Sequence, residues 1–336
     1  MPCHVSQSRR ERTALRVQEF TAAPRLVHEP LVVPARQALV HVTHTAVGVT
    51  DTLAARGDYL LHPRSGFAPG YDFVGTVEQL PAHAPAELRV GDRVAGILPH
   101  MGAHASHLTV SPSLLVRIPD TLDSSVAATV PLDALTAYFA LDALAPGSRK
   151  VLVQGAGGAV GAWAMQLADT RQLTVYGTAS SRSHDHAEQF GGTVLDYTEP
   201  TWFTQLRAET GGVDGIIDHT GNRELRALLR PRGRLIHTAF TSKPGRGQRT
   251  TAIGAAAALG HHYAHPRERI VSTPWLVASQ RARYRTVLHQ LFTALAHHDL
   301  KAPQPHVMPF TQAPNAFTPT QATKPGNKIM LNVAHN

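Results

Sequence analysis

The chain has 336 residues, of which 43% are hydrophobic and 17% are charged, and this composition excludes a disordered or fibrous protein and predicts two domains. Lys and Arg number 32 against 24 Asp and Glu, a net charge of +8. Because the basic residues are scattered, we expect no nucleic-acid partner. No apolar run reaches the roughly 18 residues of a membrane span, so we expect no membrane partner either. The one cysteine, Cys3, excludes an intrachain disulfide, and an N-terminus without the apolar core of a signal peptide leads us to expect a cytoplasmic protein.

Short β-branched runs separated by Pro, Gly and Asp fill the chain from about Thr13 to Val116. Runs bounded by turn residues in this way are typical of the short strands of a compact, mainly β domain. The clearest runs are Leu39–Val42, Phe73–Val77, Arg93–Ile97 and Leu108–Val110. We assign a mainly β domain to residues 1–124.

From about Thr129, apolar strand-like runs alternate with helix-like segments. This alternation predicts a parallel sheet covered on both faces, because parallel strands need crossover connections. The predicted strands are Lys150–Gln154, Leu173–Ala179, Thr193–Tyr197, Val213–His219 and Arg234–Ala239, and the helices between them include Ala162–Thr170, Trp202–Glu209 and Arg223–Leu229. The fold class is therefore α/β, with a doubly wound (Rossmann) domain at residues 125–277.

The remainder of the chain is expected to complete the first domain, over residues 278–336. Arg281–His297 has the pattern of an amphipathic helix, and Lys328–Val333 that of a last strand returning to the β domain. The prolines of Phe310–Pro325 predict broken helical turns there. Thr241–Arg249 is polar and contains glycine, which predicts a loop.

A glycine-rich turn follows the first predicted strand of the Rossmann domain and consists of Gly155, Ala156, Gly157, Gly158, Ala159, Val160 and Gly161. Small residues let the backbone approach a pyrophosphate, and a helix beginning near Gly158 would present free N–H groups and a partial positive charge to it. Such a turn alone is a weak signal, but its place between a strand and a helix is the context that the motif requires. We predict a dinucleotide site, the alternative being a turn that binds nothing.

The end of the second strand distinguishes between the two nicotinamide dinucleotides. An acid there would accept hydrogen bonds from the adenosine ribose, and it would repel a 2′-phosphate. The turn instead carries Ser180, Ser181 and Arg182, and the first acid is Asp185. Hydroxyls and a guanidinium can hold a phosphate, so we predict NADPH as the cofactor. The alternative for Arg182 is a surface charge at a helix start.

Six motifs, taken in order and spacing, resemble the medium-chain dehydrogenase/reductase superfamily, and within it the zinc-independent quinone oxidoreductase and enoyl reductase branch. They are Pro69–Val77, Val90–Gly96, Pro131–Tyr138, Gly155–Gly161, Asp214–Gly221 and Leu228–Leu235. The resemblance implies that the β domain is chaperonin-10-like (GroES-like) and catalytic. It further implies an active site in the cleft between the domains, and a homodimer formed through edge strands of the Rossmann domain.

Zinc-dependent alcohol dehydrogenases of the same superfamily hold a catalytic metal with Cys, His and Cys. The matching positions here are Gly48, Tyr71 and Leu132, and none is a usual zinc ligand, so we expect no metal. Without a Lewis acid to activate an alcohol, the resemblance implies hydride delivery to an α,β-unsaturated carbonyl compound or a quinone. His100, His104 and His107 are expected to be solvated or core histidines, because residues three apart on a strand point to opposite faces.

The resemblance also implies roles for residues in the cleft. Tyr59, at the end of Asp51–Tyr59, corresponds to a tyrosine that hydrogen-bonds the substrate carbonyl or protonates the enolate, with water as the alternative donor. Thr50 is a candidate polar substitute for an Asn of this branch. Asp133 could bind a substrate hydroxyl or amine, or could instead interact with the dipole at a helix N-terminus.

Further positions correspond to cofactor contacts in relatives, with sheet-edge packing as the alternative for each. Thr136 matches the nicotinamide end, and Tyr197 a residue beside the adenosine phosphate. Gly221 and Asn222 follow the fourth strand, where the cofactor ribose and nicotinamide lie. Lys328 matches the lysine of a Gly-Lys pair that approaches the cofactor, although Asn327 interrupts that pair here.

These observations predict an NADPH-dependent reductase acting on a small molecule. Two alternatives stay open at this point. One is a specialised natural-product enzyme whose reaction in the same cleft is redox-neutral or cyclising. The other is a non-catalytic NADPH-binding protein, because a fold does not fix a function.

Overall fold

The computed structural model describes residues 10–59, 61–239, 265–318 and 328–334. Its strands are β1 (Glu11–Arg16), β2 (Arg25–Pro30), β3 (Ala38–Val47), β4 (Asp72–Gln79), β5 (Arg93–Ile97), β6 (His107–Val110), β7 (Val116–Arg117), β8 (Lys150–Val153), β9 (Thr174–Ala179), β10 (Thr193–Asp196), β11 (Val213–Asp218), β12 (Leu229–His237), β13 (Glu268–Ile270), β14 (Pro305–Pro309) and β15 (Lys328–Asn332). Its α-helices are α1 (Val49–Ala55), α2 (Ser124–Ala127), α3 (Pro131–Asp142), α4 (Ala159–Thr170), α5 (His184–Glu188), α6 (Trp202–Thr210), α7 (Thr273–Ser279) and α8 (Arg281–Ala296).

The first large sheet is the β domain, with strands in the order β14-β15-β3-β4-β5-β7 and with β6 also paired to β3. The four runs that the sequence analysis singled out lie in β3, β4, β5 and β6. The predicted last strand is present as β15, and it pairs antiparallel with β3, with Ile329 opposite Val47. This register brings the first residue of β15, Lys328, beside Gly48, which follows β3.

The second large sheet has the order β10-β9-β8-β11-β12-β13, and its strand pairs are parallel. The doubly wound α/β prediction is confirmed. Strand β13 was not predicted, because its three residues, Glu-Arg-Ile, form no apolar run. The predicted helix Arg223–Leu229 is a 3₁₀ helix over Arg223–Leu228, and β12 already begins at Leu229. Pro231 and Gly233 hid this early start, since both residues weaken a strand pattern.

Helix α4 starts three residues before the predicted Ala162, and α8 nearly matches the predicted helix. Helix α3 begins at Pro131 and carries Asp133 in its first turn, as the alternative for Asp133 expected. Its extent to Asp142 was not predicted, because the helix is apolar on nearly every side and lacks an amphipathic period. Phe310–Phe317 forms a 3₁₀ helix, while Thr241–Arg249 and Pro319–Pro325 lie outside the described residues. The fully buried Trp163 of α4 donates its indole N–H to the Thr129 carbonyl at 3.2 Å and ties α4 to the segment before α3.

Within the described residues, one helical stretch passes a test of length and hydropathy for a membrane span. This stretch, Ser124–Asp142, contains α2 and α3 and is mostly buried inside the protein. A core helix of a folded domain passes the same test.

Candidate active site

The glycine turn lies between β8 and α4, at the carboxyl end of the parallel sheet. Gly155 has a φ of +70°, a left-handed conformation that favours glycine. A Cβ on Gly161 would overlap the Gly155 carbonyl oxygen, so only glycine lets the helix start this close to the turn. Gly158 is the exposed N-cap residue of α4, and Ala159, Val160 and Gly161 form the first helical turn. Their N–H groups have no carbonyl one turn earlier to bond.

The turn after β9 lies against the glycine turn. Ala156 donates its N–H to the Thr178 carbonyl at 2.8 Å, and a Cβ on Gly157 would lie 2.7 Å from the Ser183 Cβ. Ser181 and Arg182 are exposed, Ser180 is half-buried, and none of the three is acidic. Among the described residues, none accepts a hydrogen bond from the Arg182 guanidinium.

The ends of β10 and β11 lie at the same edge of the parallel sheet. Tyr197 follows β10, is 51% exposed and donates its N–H to the Ala179 carbonyl of β9 at 3.0 Å. Gly221 follows β11, and its N–H bonds Asp218 Oδ2 at 2.9 Å. The Asn222 side chain accepts a hydrogen bond from the Glu224 N–H and so caps the 3₁₀ helix that starts at residue 223.

Two further residues, which the sequence analysis missed, border this edge. His219 packs on the glycine turn, since a Cβ on Gly155 would lie 2.5 Å from the His219 Cε1. His237 of β12 lies 3.4 Å from Asp218 and 3.2 Å from Glu268. Burial lowers the pKa of His237, but hydrogen bonds and charges from these two carboxylates outweigh burial and raise it above its usual value.

On the β-domain side, Tyr59 lies four residues after α1 and is half-buried. Its hydroxyl is 2.9 Å from the Tyr71 hydroxyl, and the two rings meet edge to face at 80°. The His62 ring stacks over Tyr59 at 6.2 Å between ring centroids. Burial raises the pKa of Tyr59 above its usual value, so this phenol is protonated at neutral pH and can donate a hydrogen bond.

Thr50, Asp133 and Lys328 are brought together around Gly48. A Cβ on Gly48 would lie 3.7 Å from Lys328 Nζ and 3.7 Å from Thr50 Oγ1. Lys328 Nζ lies 2.6 Å from Asp133 Oδ2, and both side chains are buried. Burial lowers the pKa of Lys328, but the neighbouring carboxylates, Asp133 foremost, outweigh burial and raise it. The Lys328 predicted to approach the cofactor thus forms a buried ion pair with Asp133.

Two more buried carboxylates, also missed, complete this polar cluster. Asp51 of α1 accepts the N–H of Gly48 at 2.7 Å and of Gly70 at 2.8 Å. Asp72 of β4 accepts the Leu132 N–H at 3.3 Å, and among the described residues its other oxygen has no hydrogen-bond donor. Burial, opposed by the Lys328 charge and reinforced by Asp133, raises the pKa of Asp72 to about 7. An acid directly after Gly70-Tyr71, at the start of an apolar strand, is the sequence signal that could have revealed it.

Thr136 lies one turn after Asp133 on α3. Its hydroxyl donates to the Leu132 carbonyl at 2.7 Å and pairs with the Thr273 hydroxyl at 2.6 Å. Thr136 is therefore buried at the join between α3 and α7, where its hydroxyl is already engaged.

The three histidines weighed as metal ligands do not converge. His104 is fully buried, and its Nε2 lies 3.0 Å from the Ala46 carbonyl oxygen. His107 faces Glu78 at 3.6 Å, while His100 is exposed. Among the described residues, one other trio, His184, Asp185 and Glu188, places its ligand atoms within 4.8 Å of one another. Two of these three side chains are exposed, and such groups are common in the absence of an ion.

A dinucleotide is compatible with the edge of the parallel sheet. The glycine turn presents backbone without side chains, and α4 directs free N–H groups at the same place, as a pyrophosphate requires. The residues that would hold the cofactor are Gly155–Gly161, Ser180–Arg182, Tyr197 and Gly221. The hydroxyls and the guanidinium after β9 suit a 2′-phosphate.

Comparisons with known proteins agree with this architecture. Residues 34–120 match the family model described as "Alcohol dehydrogenase GroES-like domain", and residues 191–324 match "Zinc-binding dehydrogenase". A crystal structure of JamJ enoyl reductase, in its apo form, has a TM-score of 0.81 at 20% identity, covering 96% of this chain and 99% of that chain. At that identity the likeness shows the fold.

Two curated relatives are closer in sequence. "Trans-enoyl reductase traG" of Penicillium crustosum is 33% identical over 227 residues, which cover 60% of this chain and 61% of the relative. "Quinone oxidoreductase" of Lama guanicoe is 30% identical over 236 residues, covering 66% of this chain and 71% of the relative. The alignment thus spans about three fifths of the trans-enoyl reductase. With both domains present in order, the chain belongs to the medium-chain dehydrogenase/reductase superfamily, whose oxidoreductases use nicotinamide cofactors.

Proposed function

We propose that this protein is an NADPH-dependent reductase that delivers hydride, without zinc, to the activated C=C bond of an α,β-unsaturated carbonyl compound or to a quinone. The observation that carries the proposal is the side-chain-free turn Gly155–Gly161 at the carboxyl edge of the parallel sheet. It occurs in a chain whose relatives are named trans-enoyl reductase and quinone oxidoreductase. A bound NADPH would supply the hydride that reduces the electron-poor carbon.

The residues of the Rossmann domain bind and orient the cofactor in this proposal. Backbone N–H groups at Gly158–Gly161 hold the pyrophosphate, and Ser180, Ser181 and Arg182 hold the 2′-phosphate. The exposed Tyr197 ring borders the adenosine end. Catalysis then comes mainly from positioning. When both reactants are already bound in a reactive geometry, the reaction step no longer includes the loss of their translational and rotational entropy.

Tyr59 moves the proton. When a hydride adds to the β-carbon, the π-electron pair moves onto the carbonyl oxygen and forms an enolate. The Tyr59 hydroxyl donates a hydrogen bond to that oxygen and passes its proton to the enolate, and water restores the phenol. For a quinone, the same hydrogen bond stabilises the oxygen that becomes a hydroquinone hydroxyl.

The zinc-independent part of the proposal is supported by residue types. Gly48, Tyr71 and Leu132 stand at the positions of the metal ligands in zinc-dependent relatives, and Lys328 Nζ lies beside Gly48. Asp133 holds Lys328 as an ammonium, which has no lone pair with which to ligate a metal. The chain's own hydrogen-bond donors must then polarise the substrate.

A screen of NADPH oxidation across quinones, enones and acyl thioesters tests the proposal, with the product mass as the readout. The proposal predicts oxidation with at least one class and a product heavier by two hydrogens. Turnover with no change in mass would favour a redox-neutral natural-product enzyme. Stoichiometric NADPH binding without oxidation would favour a non-catalytic binding protein.

The variant Y59F tests the proton donor. We expect its kcat to fall about 100-fold or more, the usual contribution of a general acid, with an unchanged dissociation constant for NADPH. The matched control is Y138F, which removes the hydroxyl of a half-buried tyrosine on α3. An unchanged kcat for Y59F would assign the proton to water.

We further propose a cytoplasmic homodimer that binds no nucleic acid and no membrane. Among the described strands of the parallel sheet, β13 is one of the two outer ones, the other being β10. Ile270 of β13 is 36% exposed, and Trp275, which follows on α7, is 64% exposed. Exposed apolar side chains beside a sheet edge suit an interface between two copies. Sedimentation of the wild type and of W275E tests this, and a wild type that sediments as a monomer would refute it.

A further inference from the structure

The hydrogen bond between Tyr59 and Tyr71 has a direction that the burial of the two residues decides. Each phenol carries one hydrogen, and one bond between two hydroxyls uses one of the two. Tyr71 is 1% exposed, and among the described residues the Tyr59 oxygen is the one hydrogen-bond partner of its hydroxyl. If Tyr59 were the donor, the Tyr71 hydrogen would be buried without an acceptor, which is costly.

We infer that Tyr71 is a positioning residue, which donates its hydrogen to the Tyr59 oxygen and so leaves the Tyr59 hydrogen free to point at the substrate. This inference rests on the proposed function, in which Tyr59 is the proton donor. Tyr59 is only half-buried, so its own hydrogen can reach a ligand in the cleft or water.

The surroundings hold both phenols in this arrangement. Asp51 bonds the N–H groups of Gly48 and Gly70 at once, which fixes the segment before α1 to the segment that carries Tyr71. The Tyr59 ring is packed on one side by the stacked His62 and on another by the edge of Tyr71. Phe67 in turn stacks on His62, with 4.5 Å between ring centroids. A ring fixed on two sides presents its hydroxyl in one direction.

The same hydrogen bond prepares Tyr59 for losing its proton. Burial raises the pKa of Tyr59, the hydrogen bond from Tyr71 lowers it, and the Asp51 charge raises it. The pKa of Tyr71 is raised well above its usual value by burial and then by Tyr59. A donor to the Tyr59 oxygen stabilises the phenolate that forms when the proton leaves. Tyr71 itself never touches substrate in this scheme.

A double-mutant cycle on a substrate found in the screen tests the inference, using Y71F, Y59F and Y59F/Y71F. We expect Y71F to lower kcat about three- to tenfold, the rate equivalent of one hydrogen bond between neutral groups, with unchanged NADPH affinity. In the Y59F background, the Y71F substitution should change kcat no further. The control is Y284F, since Tyr284 is a buried tyrosine whose hydroxyl bonds Leu114 and Ile97; it should keep the wild-type kcat.

A second readout does not depend on activity. The ultraviolet absorbance of the phenolate, titrated in wild type and in Y59F, isolates Tyr59 by difference among the seven tyrosines. In Y71F, the Tyr59 titration should move to higher pH, because the donor that stabilises the phenolate is gone. Asp51 and Tyr71 act on the Tyr59 pKa, and the ring of the titratable His62 stacks on Tyr59; only Tyr71 is altered.

Two results would overturn the inference. The first is a Y71F variant whose Tyr59 titration and kcat both equal those of the wild type. The second is an equal fall of kcat when Y71F is introduced into the wild type and into Y59F, which indicates a packing role. An active Y59F would remove the acid and the inference with it, while leaving the reductase proposal in place. If the wild type oxidises no NADPH, the proposed function fails instead, and the absorbance titration alone decides the direction of the hydrogen bond.

Discussion

The nucleotide-binding sheet and the β domain contribute to the candidate site with different parts of the chain. The sheet contributes backbone: a glycine turn, a helix N-terminus and strand ends in a fixed order. The opposite side of the site consists of side chains from separate segments: residues 48–59, 70–72 and 328 of the β domain, joined by residues 131–136 of helix α3. A site made of backbone follows from local sequence, whereas a site made of side chains depends on tertiary register. Substitutions in the two regions should therefore fail in different ways.

The largest effect on stability is expected in the side-chain cluster, from K328M. Removing the ammonium leaves Asp133 buried without its partner, and breaking a buried pair costs about 3–5 kcal/mol of unfolding free energy. The double variant K328M/D133N should recover part of this loss. K301M, at an exposed lysine, should stay within about 0.5 kcal/mol of the wild type. Chemical denaturation measures all three, and an unchanged K328M would contradict the buried pair.

The burial of Asp72 should make stability depend on pH. Its pKa in the folded protein, about 7, lies above that of the unfolded chain, so the folded state binds more protons between about pH 4 and 7. Stability from this group therefore falls as the pH rises through that window, by at most about 1.4 kcal/mol per pH unit. D72N should remove this slope. Equal pH slopes in D72N and wild type would show that Asp72 is ionised throughout.

A Gly→Ala substitution should have different effects in the two regions. In G161A the new Cβ would overlap the Gly155 carbonyl oxygen, so the turn must open, at a cost of about 1–3 kcal/mol and with weaker NADPH binding. In G48A the new Cβ meets atoms at 3.5 Å and beyond, and Gly48 has a φ of −111°, so folding and NADPH affinity should persist. Thermal unfolding compares the stability of the two variants, and calorimetry compares their NADPH affinity. Equal losses in G161A and G48A would contradict the expected difference between the two regions.

The smallest effect is expected from R182A. Loss of one charge-assisted hydrogen bond at an exposed position should weaken NADPH binding about tenfold and leave NADH binding unchanged. R232A removes an exposed arginine outside the proposed cofactor site and should change neither affinity. Calorimetric titration with NADPH and with NADH gives the ratio of the two affinities for each variant. A parallel loss for NADPH and NADH would remove Arg182 from the 2′-phosphate site.

The comparison also explains what sequence could predict. The glycine turn and five of the six parallel strands have local signatures, so their places along the chain were predictable. The pairing of Lys328 with Asp133 was not, because it depends on the register of β15 against β3 and on α3, whose apolar surface hides its helical period. Tyr71 was noted only as a position without a metal ligand, since its contact with Tyr59 forms only where their two segments meet in the folded chain.

The most direct measurement of the central claim, hydride transfer without a metal, uses NADPH deuterated at the transferring C4 position. The enzyme is first dialysed against a chelator and its metal content is measured. We predict that deuterium appears at the β-carbon of a reduced enone, at the same rate before and after chelation. Product without deuterium, or turnover that returns only when zinc is added, would contradict the account.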